Sequence, residues 1–309
     1  MSDTQPRELA SGLLFPEGPV PLPDGSVVLV EIAGERLTRV GPDGSVTVVA
    51  ELPGGPNGAA LGPDGRIYVA NNGGYYRFEE VEGLGRVPAP TGSTGGSIQR
   101  VDLDTGEVET LYTDCDGRPL LAPNDLVFDP HGGFWFTDHG VAHGEHADHP
   151  GLLYASADGS RIIGVVYGTD ATNGVGLSPA GDRVYAAETQ TGLVWEWAVS
   201  APGVLEPLDP STRTGGRLLF DGPEGHLFDS LQVDGEGWVC VATIGLGLPG
   251  GITAIAPDGS THEFIETGDF LTTNIAFGGP DGRTAYITCS SSGRLVSMAW
   301  PRPGLVRVP

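Results

Sequence analysis

Six polar side chains recur at matching places along the sequence, and together they could bind a hard metal ion. Each stands at the head of a short apolar run, which ends in a turn rich in Gly, Pro and Asp and resumes as a second apolar run. The six heads are Glu17, Asn57, Asn124, Asn173, Asp229 and Asn274. Carboxylate and amide oxygens suit Ca²⁺, whereas zinc prefers His and Cys, which are missing from the heads. If the heads converge, they predict an oxygen-rich site for one divalent cation.

The repeat that carries the heads predicts an all-β fold, a six-bladed β-propeller with a central channel. Two of the plainest copies are PNGAALGPDGRIYVANN from Pro56 and TNIAFGGPDGRTAYITC from Thr273. A period of about 50 residues is typical of propellers and solenoids, and each unit has room for four short strands. Apolar residues follow strand patterns rather than helical spacing, and 50 glycines and 26 prolines supply tight turns. One domain is expected to cover residues 1–309.

Each repeat also predicts a second polar ring on the same face, because a strand that reverses at a tight turn returns to the level of its own start. The residues at the return points are Glu31, Asn71, Asp138, Glu188, Thr243 and Cys289. The segments that follow the inner pairs, such as GLVWEWAVSAPGVLEPLDP from Gly192, are predicted to form hairpins that supply the third and fourth strands. Residues 7–14 are expected to complete the last blade, since an unpaired edge strand exposes backbone groups.

Composition argues against several classes of function. The chain has 16 Lys+Arg against 40 Asp+Glu, a formal net charge of −24, which disfavours binding to nucleic acid or to an anionic membrane. No run approaches the roughly 18 apolar residues of a membrane span, and no signal peptide is visible. The cysteines Cys115, Cys240 and Cys289 have no paired spacing, as in a reduced protein. We therefore expect a cytoplasmic protein, a monomer or a weak homo-oligomer.

The motifs around the heads resemble the gluconolactonase and regucalcin (senescence marker protein) family. That family lies within a wider group of six-bladed calcium enzymes that includes drug-responsive lactonases, paraoxonases and diisopropyl fluorophosphatase. The most specific parts are FPEGP at 15–19, PND at 123–125, TNGVGLSP at 172–179 and DS at 229–230. The resemblance implies four metal ligands, which are Glu17, Asn124, Asn173 and Asp229. It also implies one divalent cation, with Ca²⁺ favoured over Zn²⁺, Mg²⁺ and Mn²⁺.

The same resemblance implies a metal-dependent hydrolase that opens a small-molecule lactone or related ester. The cation would act as a Lewis acid on the lactone carbonyl and orient the attacking water. Asp229 would assist as a general base or as a nucleophile. Because a cation lowers the pKa of a carboxylate bound to it, a carboxylate of the second ring, Asp138 or Glu188, is an alternative base. A phosphotriesterase-like hydrolase, a non-catalytic propeller that binds calcium or a partner protein, and lactonisation or lyase chemistry stay open.

Some positions depart from the family pattern or have more than one interpretation. Sugar lactonases of the regucalcin type carry an Arg two residues before the third-blade Asn, where this chain has Ala122. This difference weakens an assignment to gluconolactone. Ser230 looks more like the drug-responsive lactonases, in which the equivalent Ser neighbours the metal, and we expect it near the substrate. Asn57 and Asn274 have the register to line the channel, either as substrate contacts or as caps of the backbone.

Histidines cluster close to the predicted site. Residues 138–150, DHGVAHGEHADHP, hold four of the seven histidines and should form a loop over the same face, either as a lid or second metal site or as a solvated polar loop. His139 directly follows a strand end, so it is a candidate for substrate contact or proton transfer. The remaining three, His143, His146 and His149, fit a solvated loop. His226 lies three residues before Asp229 and could contact substrate or pack within its loop.

An insertion at residues 73–96 lengthens the second blade. Its Gly and Pro content predicts a loop without regular structure, and its position after a return point predicts that it overhangs the metal face. Tyr75, Tyr76 and Phe78 could form a wall of the substrate site or pack the loop onto the propeller.

Overall fold

A computed structural model of the protein describes residues 5–143, 146–147 and 151–305, the side chains of 142–143 and 146–147 excepted. These residues form 31 strands and one 3₁₀-helix, Ile32–Gly34. Six sheets of four or five antiparallel strands are arranged as the blades of a propeller, which confirms the predicted all-β fold. No helix in this part of the chain is long and apolar enough to cross a membrane.

The strands follow one another blade by blade. The N-terminal strand and the first blade are β1 (Arg7–Ala10), β2 (Pro16–Pro21), β3 (Val27–Glu31), β4 (Arg36–Val40) and β5 (Val46–Glu51). The second blade and its insertions are β6 (Pro56–Leu61), β7 (Ile67–Asn71), β8 (Tyr76–Val81), β9 (Gly85–Pro90), β10 (Ser97–Val101), β11 (Val108–Tyr112), β12 (Asp114–Cys115) and β13 (Arg118–Pro119). The third blade and its insertion are β14 (Pro123–Phe128), β15 (Gly133–Asp138), β16 (Ala142–His143), β17 (His146–Ala147), β18 (Gly151–Ser156) and β19 (Ile162–Tyr167).

The remaining three blades complete the circle. The fourth comprises β20 (Thr172–Leu177), β21 (Arg183–Glu188), β22 (Leu193–Ala201), β23 (Val204–Glu206) and β24 (Arg217–Asp221). The fifth comprises β25 (His226–Val233), β26 (Val239–Gly245), β27 (Gly251–Ile255) and β28 (His262–Glu266). The sixth comprises β29 (Thr272–Gly278), β30 (Thr284–Cys289) and β31 (Arg294–Ala299), with β1 as its outermost strand.

The innermost strands β2, β6, β14, β20, β25 and β29 form a closed ring. Each contacts the next around the channel, and β29 returns to contact β2. The ring is completed by β1, which pairs with β31 in an antiparallel arrangement, Arg7 opposite Ser297. The expected closure by the N-terminal segment is therefore confirmed for residues 7–10. Buried apolar residues pack between neighbouring blades, as Val30 of the first blade does with Val69 of the second.

The outer part of the fourth blade differs from the sequence prediction. We expected Gly192–Pro210 to supply both outer strands as one hairpin, but β22 pairs with β23 only over its far end. The near end of β22 pairs with β24, with Leu193 opposite Asp221. Burial explains this choice, because β24 places Leu219 in the core between blades whereas Val204 of β23 is exposed.

The insertion in the second blade is regular, so the prediction of an irregular loop is wrong. Strands β8 and β9 form a two-stranded hairpin in continuous register from Tyr76 opposite Pro90 to Val81 opposite Gly85. Pro88 and Pro90 are tolerated because β9 is an edge strand, where a missing backbone N–H disrupts no further pairing. We call residues 76–90 the roof hairpin.

Candidate active site

The six heads all lie near the start of an innermost strand, where a bulge interrupts its pairing with the second strand. The register between the two inner strands shifts at or directly beside each head, for example between Thr172 and Val175 around Asn173. The other five innermost strands show the same irregularity. A bulge bends the strand and redirects a side chain. The repeated bulge therefore turns one polar residue per blade toward the channel.

The innermost strands approach so closely at this level that small residues are required beside some heads. A Cβ atom at Gly174 would lie 2.4 Å from the backbone nitrogen of Leu231. A Cβ atom at Gly58 would lie 2.4 Å from the carbonyl oxygen of Asn124. The glycine after the head therefore allows neighbouring innermost strands to approach closely around the channel.

A cavity of about 300 Å³ opens above this level of the channel. Five of the six heads line it, and they are Glu17, Asn57, Asn124, Asn173 and Asp229. The four ligands that the family resemblance implies are thus brought to one cavity. Asn274 lies beside Glu17 but outside the lining.

Glu17 is held from several sides. The side-chain nitrogen of Asn274 donates a hydrogen bond of 2.6 Å to Oε2 of Glu17, and the backbone N–H of Gly18 donates to the same oxygen. The hydroxyl of Ser230 lies 3.4 Å from Oε1 of Glu17 and 3.5 Å from Oδ1 of Asn173. Asn274 and Ser230 therefore lie within hydrogen-bond distance of oxygens of the predicted ligands, and Ser230 is itself fully buried.

The amide heads turn their nitrogen atoms toward the protein. Nδ2 of Asn173 donates to the hydroxyl of Thr189 at 3.0 Å, and Nδ2 of Asn57 donates to the carbonyl oxygen of Asn124 at 3.3 Å. Oδ1 of Asn124 is buried without a hydrogen-bond partner among the described residues. A buried, unpaired carbonyl oxygen costs about 1–3 kcal/mol, so this atom is suited to a ligand that the channel would hold.

The surroundings of Glu17 and Asp229 disfavour the ionised form of both carboxylates. Burial, with the nearby charge of Asp229, raises the pKa of Glu17 well above its usual value. Burial also raises the pKa of Asp229 to about 7, and the charge of Asp125 contributes to that increase. Like charges in a low-dielectric cavity repel one another. A divalent cation would offset this repulsion and favour the ionised carboxylates.

The third carboxylate, Asp125, was missed by the sequence interpretation. It is buried, and its two oxygens accept backbone hydrogen bonds from Leu126 at 2.9 Å and from Val175 at 3.2 Å. Burial raises the pKa of Asp125 to about 7. It does not line the cavity, but its charge acts on the nearby carboxylates of Glu17 and Asp229. The sequence does distinguish Asp125. It directly follows the head of the third blade, whereas the heads of blades one, two and four are each followed by glycine.

The second ring lies at the predicted level, but the side chains of its three acids hold neighbouring loops by hydrogen bonds. Glu31 is opposite Pro16 in the β2–β3 pairing, one residue from Glu17, and it accepts a hydrogen bond from the backbone N–H of Leu14. Oε1 of Glu188 accepts one from the backbone N–H of Asp170 at 2.9 Å. In both blades the bond fixes the segment that leads into the head.

Asp138 has the same structural role, and its position does not support the predicted catalytic function. Its carboxylate accepts hydrogen bonds from the backbone N–H groups of Leu121 and Ala122, both at 2.8 Å, and from that of Gly140 at 3.0 Å. It also lies outside the cavity lining. Three backbone donors occupy the oxygens that a general base would need.

The two histidine candidates differ in position. His139 lines the cavity, and burial lowers the pKa of its imidazole. His226 does not line the cavity, and its ring stacks on Phe264 with centroids 5.2 Å apart. His139 therefore stays a candidate for substrate contact, whereas the geometry favours packing for His226.

The loop at 138–150 is described only in part. Its backbone forms the short pair β16–β17. The side chains of His143 and His146 and the whole of His149 lie outside the described residues.

The roof hairpin extends from the second blade over the cavity, as its position in the sequence predicted. Tyr75, Tyr76, Val87, Pro88 and Pro90 all line the cavity. Phe78 faces elsewhere and packs on Phe15 of the first blade, with ring centroids 4.8 Å apart. The insertion therefore supplies both a wall of the cavity and its own anchor.

The donor set fits a hard cation better than a soft one. No group of three or more His, Cys, Asp or Glu side chains suitable for a metal occurs among the described residues. A site here therefore needs the amide oxygens of Asn124 and Asn173 beside the carboxylates of Glu17 and Asp229. Carboxylate and amide oxygens are ligands typical of calcium. The unpaired oxygen of Asn124 and these carboxylates fit such an ion.

Comparison with known proteins places these features in a family. The family model described as SMP-30/Gluconolactonase/LRE-like region matches residues 15–291. A gluconolactonase of Zymomonas mobilis is 25% identical over 309 residues, covering 91% of this chain and 78% of the relative. Lactonase drp35 of Staphylococcus saprophyticus is 29% identical over 227 residues, covering 72% of this chain and 61% of the relative.

Solved structures show the same fold. A gluconolactonase from Xanthomonas campestris superposes with a TM-score of 0.73 at 22% identity, covering 95% of this chain and 89% of that one. A calcium-binding protein, regucalcin from Agrobacterium tumefaciens, superposes with a TM-score of 0.72 at 18% identity, covering 99% and 98%.

Proposed function

Because the chain belongs to the SMP-30/gluconolactonase/LRE-like family, we propose that it is a metal-dependent lactonase that hydrolyses the ring ester of a small molecule. One divalent cation, with calcium favoured, would be held by Glu17, Asn124, Asn173 and Asp229. The observation that carries this proposal is the unpaired, buried Oδ1 of Asn124 in a cavity that also contains the carboxylates of Glu17 and Asp229. A divalent cation there would supply Lewis-acid polarisation of the lactone carbonyl.

We assign to Asp229 the role of general base for the attacking water. It lines the cavity and keeps partial exposure, so a water molecule can reach it. Oε2 of Glu17 already accepts hydrogen bonds from Asn274 and Gly18. The oxygens of Asp125 and Asp138 accept backbone hydrogen bonds and lie outside the cavity lining. Asp229 would therefore orient the water and take its proton, and that proton would pass to the ring oxygen as its bond to the carbonyl carbon breaks.

Metal removal tests the proposal directly. The purified chain would be stripped with a chelator, and Ca²⁺, Mg²⁺, Mn²⁺ and Zn²⁺ would be restored one at a time during an assay of lactone hydrolysis. We expect turnover to be lost on stripping and regained with at least one metal. Unchanged turnover in protein shown to be metal-free would refute the proposal.

A matched pair of variants tests the site. Glu17→Gln removes a proposed ligand charge, and we expect calorimetry to show metal affinity reduced by more than about 100-fold, because even outer-shell changes cost 10–100-fold. Glu188→Gln changes a buried carboxylate of the second ring in the same chemical way, and we expect metal affinity to be retained. Equal affinity in both variants would show that the cation binds elsewhere.

A further inference from the structure

The walls of the cavity differ in chemistry from its floor. Above the polar heads, the roof hairpin contributes Val87, Pro88 and Pro90. On the opposite side the fifth blade and the segment after it contribute Leu227, Ile244, Leu246, Phe270 and Leu271. Phe15 and Ile32 of the first blade join these two sides. A substrate whose ester lies at the floor would therefore have its substituents against apolar surface.

The apolar wall is part of a packed structure. Phe15, Ile32 and Leu271 form a buried cluster, against which Phe78, Ile244 and Phe270 also pack. The roof hairpin is fastened at its far end as well, where the backbone N–H of Arg86 donates to the carbonyl oxygen of Ser291 at 2.9 Å. The hairpin thus bridges from the second blade to the first and the sixth, and the wall is formed before any ligand enters.

Above the heads, apolar side chains outnumber polar ones in the lining, and the groups there that could recognise a hydroxyl substituent include Tyr75, Tyr76, His139 and Gln190. No arginine of the described residues lines the cavity. The hydroxyl of Thr189 already accepts a hydrogen bond from Asn173. The hydroxyl of Thr273 lies within hydrogen-bond distance of that of Ser290, at 2.5 Å, and of that of Thr288, at 2.9 Å. Hydroxyl groups directed at the apolar side, between the roof hairpin and Leu227, would lose their hydration without gaining matching partners.

We propose that the cavity accepts lactones whose ring carries an apolar alkyl or aryl substituent and discriminates against polyhydroxylated sugar lactones. This inference rests on the lactonase function proposed above and names its substrate class. The ring ester would face the heads, and the substituent would lie between the roof hairpin and the wall that includes Leu227 and Ile244. Leu246, whose exposed fraction is 59%, marks the rim where a longer chain would leave the cavity.

Three six-membered lactones test the substrate class, because they share the reacting ring. They are δ-decalactone, δ-valerolactone and D-glucono-δ-lactone, and kcat/KM for each is divided by the rate of its uncatalysed hydrolysis. Burial of one methylene favours binding by about fourfold, and an apolar pocket rejects an added hydroxyl by about 100-fold. We expect the order decalactone, valerolactone, gluconolactone, with about 100-fold or more between the ends. A ratio for gluconolactone equal to or above that of valerolactone overturns the inference but leaves the lactonase function intact.

A binding measurement separates failure of this inference from failure of the proposed function. The corresponding δ-lactams keep the ring and substituents but resist hydrolysis, so calorimetry reports recognition without turnover. If no lactone is hydrolysed with any metal, the lactonase proposal fails. Tighter binding of the pentyl-substituted lactam than of the polyhydroxylated lactam then still supports the apolar cavity, and the reverse order overturns it.

Two variants of the roof hairpin test whether the hairpin contacts the apolar substituent of the substrate. Val87→Thr is nearly isosteric and places a hydroxyl on the wall, and we expect it to lower kcat/KM for δ-decalactone by about 3–10-fold relative to gluconolactone. Val81→Thr makes the same change on the same hairpin at an exposed position outside the lining, and we expect no change in the ratio. Equal ratios in both variants and the native chain would show that the roof does not contact the substituent.

Discussion

The two polar rings lie on the same face of the propeller, yet their oxygen atoms have opposite surroundings. In the first ring, Asn124 presents a buried oxygen without a partner, and burial raises the pKa of Glu17. In the second ring, Glu31 is equally buried, but Arg36, Thr38 and the backbone of Leu14 all donate to it. Burial opposes the charged form of Glu31, but these donors outweigh it and lower its pKa.

The difference shows that burial of a carboxylate does not by itself indicate a functional site. The second ring is complete within the protein, because each acid that we describe there has donors from the loop it holds. In the first ring Oδ1 of Asn124 has no hydrogen-bond partner among the described residues, and the proposed cation would supply one. Substitutions should therefore affect binding and turnover in the first ring and stability in the second.

The largest effect is expected for Asp229→Asn. Loss of the proposed base should lower kcat/KM by about 10³-fold or more at saturating metal, since general acid–base groups contribute 10²–10⁴-fold. Steady-state lactone hydrolysis measures it. In the matched variant Asp138→Asn we expect kcat within about threefold of the native value, with a lower Tm. A large loss of turnover in Asp138→Asn at unchanged Tm would return the catalytic role to the second ring.

Asn274→Ala should weaken metal binding by about 10–100-fold, the range found when a partner of a metal ligand is removed. The reason is that Asn274 orients Oε2 of Glu17 without lining the cavity. Calorimetric titration with Ca²⁺ measures the change. If affinity is unchanged while KM rises, Asn274 contacts substrate instead.

Glu31→Gln should lower the free energy of unfolding by about 1.5–3 kcal/mol at pH 7, the range for hydrogen bonds to a charged group. Because the folded-state pKa of Glu31 is lowered, its contribution is present above the unfolded value of about 4.3 and is lost as the pH falls through the folded pKa. Urea unfolding from pH 7 to 3 should show the two proteins converging below about pH 4. The exposed Glu107→Gln serves as the control, and a pH-independent difference for Glu31→Gln would contradict the assignment.

The smallest effect is expected for Thr189→Val, which removes the hydroxyl that holds Nδ2 of Asn173. The loss of one hydrogen bond of about 1 kcal/mol should weaken metal binding by roughly fivefold. Thr253→Val removes a buried hydroxyl of the fifth blade, distant in sequence from every head, and should leave metal affinity unchanged. An identical change in both variants would indicate general destabilisation.

Much of the fold follows from local repetition, so it was predictable from the sequence. The head, the turn and the return strand recur within each blade, and they place Glu17 beside the return point at Glu31 without knowledge of distant contacts. The closing strand β1 was also predictable, because the last blade had three strands of its own. Features that depend on one local context were missed. Strands β8 and β9 form although they contain Gly85, Pro88 and Pro90.

Only those residues of the site that belong to the repeat could be predicted from the sequence. The repeat identifies one polar residue per blade, and the family resemblance selects four of them as ligands. It does not show that Asn274 serves Glu17, because these residues are adjacent only after the ring closes. Nor does it identify Asp125, whose buried position depends on backbone donors from two other blades.

The closure of the sixth blade has a consequence for biosynthesis. Strand β1 emerges from the ribosome long before its partner β31, because nearly the whole propeller lies between them in the sequence. At 5–20 residues per second the interval is on the order of tens of seconds. During that time the first and sixth blades cannot meet, and the hydrogen bond from Asn274 to Glu17 cannot form. We expect the nascent chain to acquire its blades one after another, but to become competent for ligand only after the sixth blade has emerged.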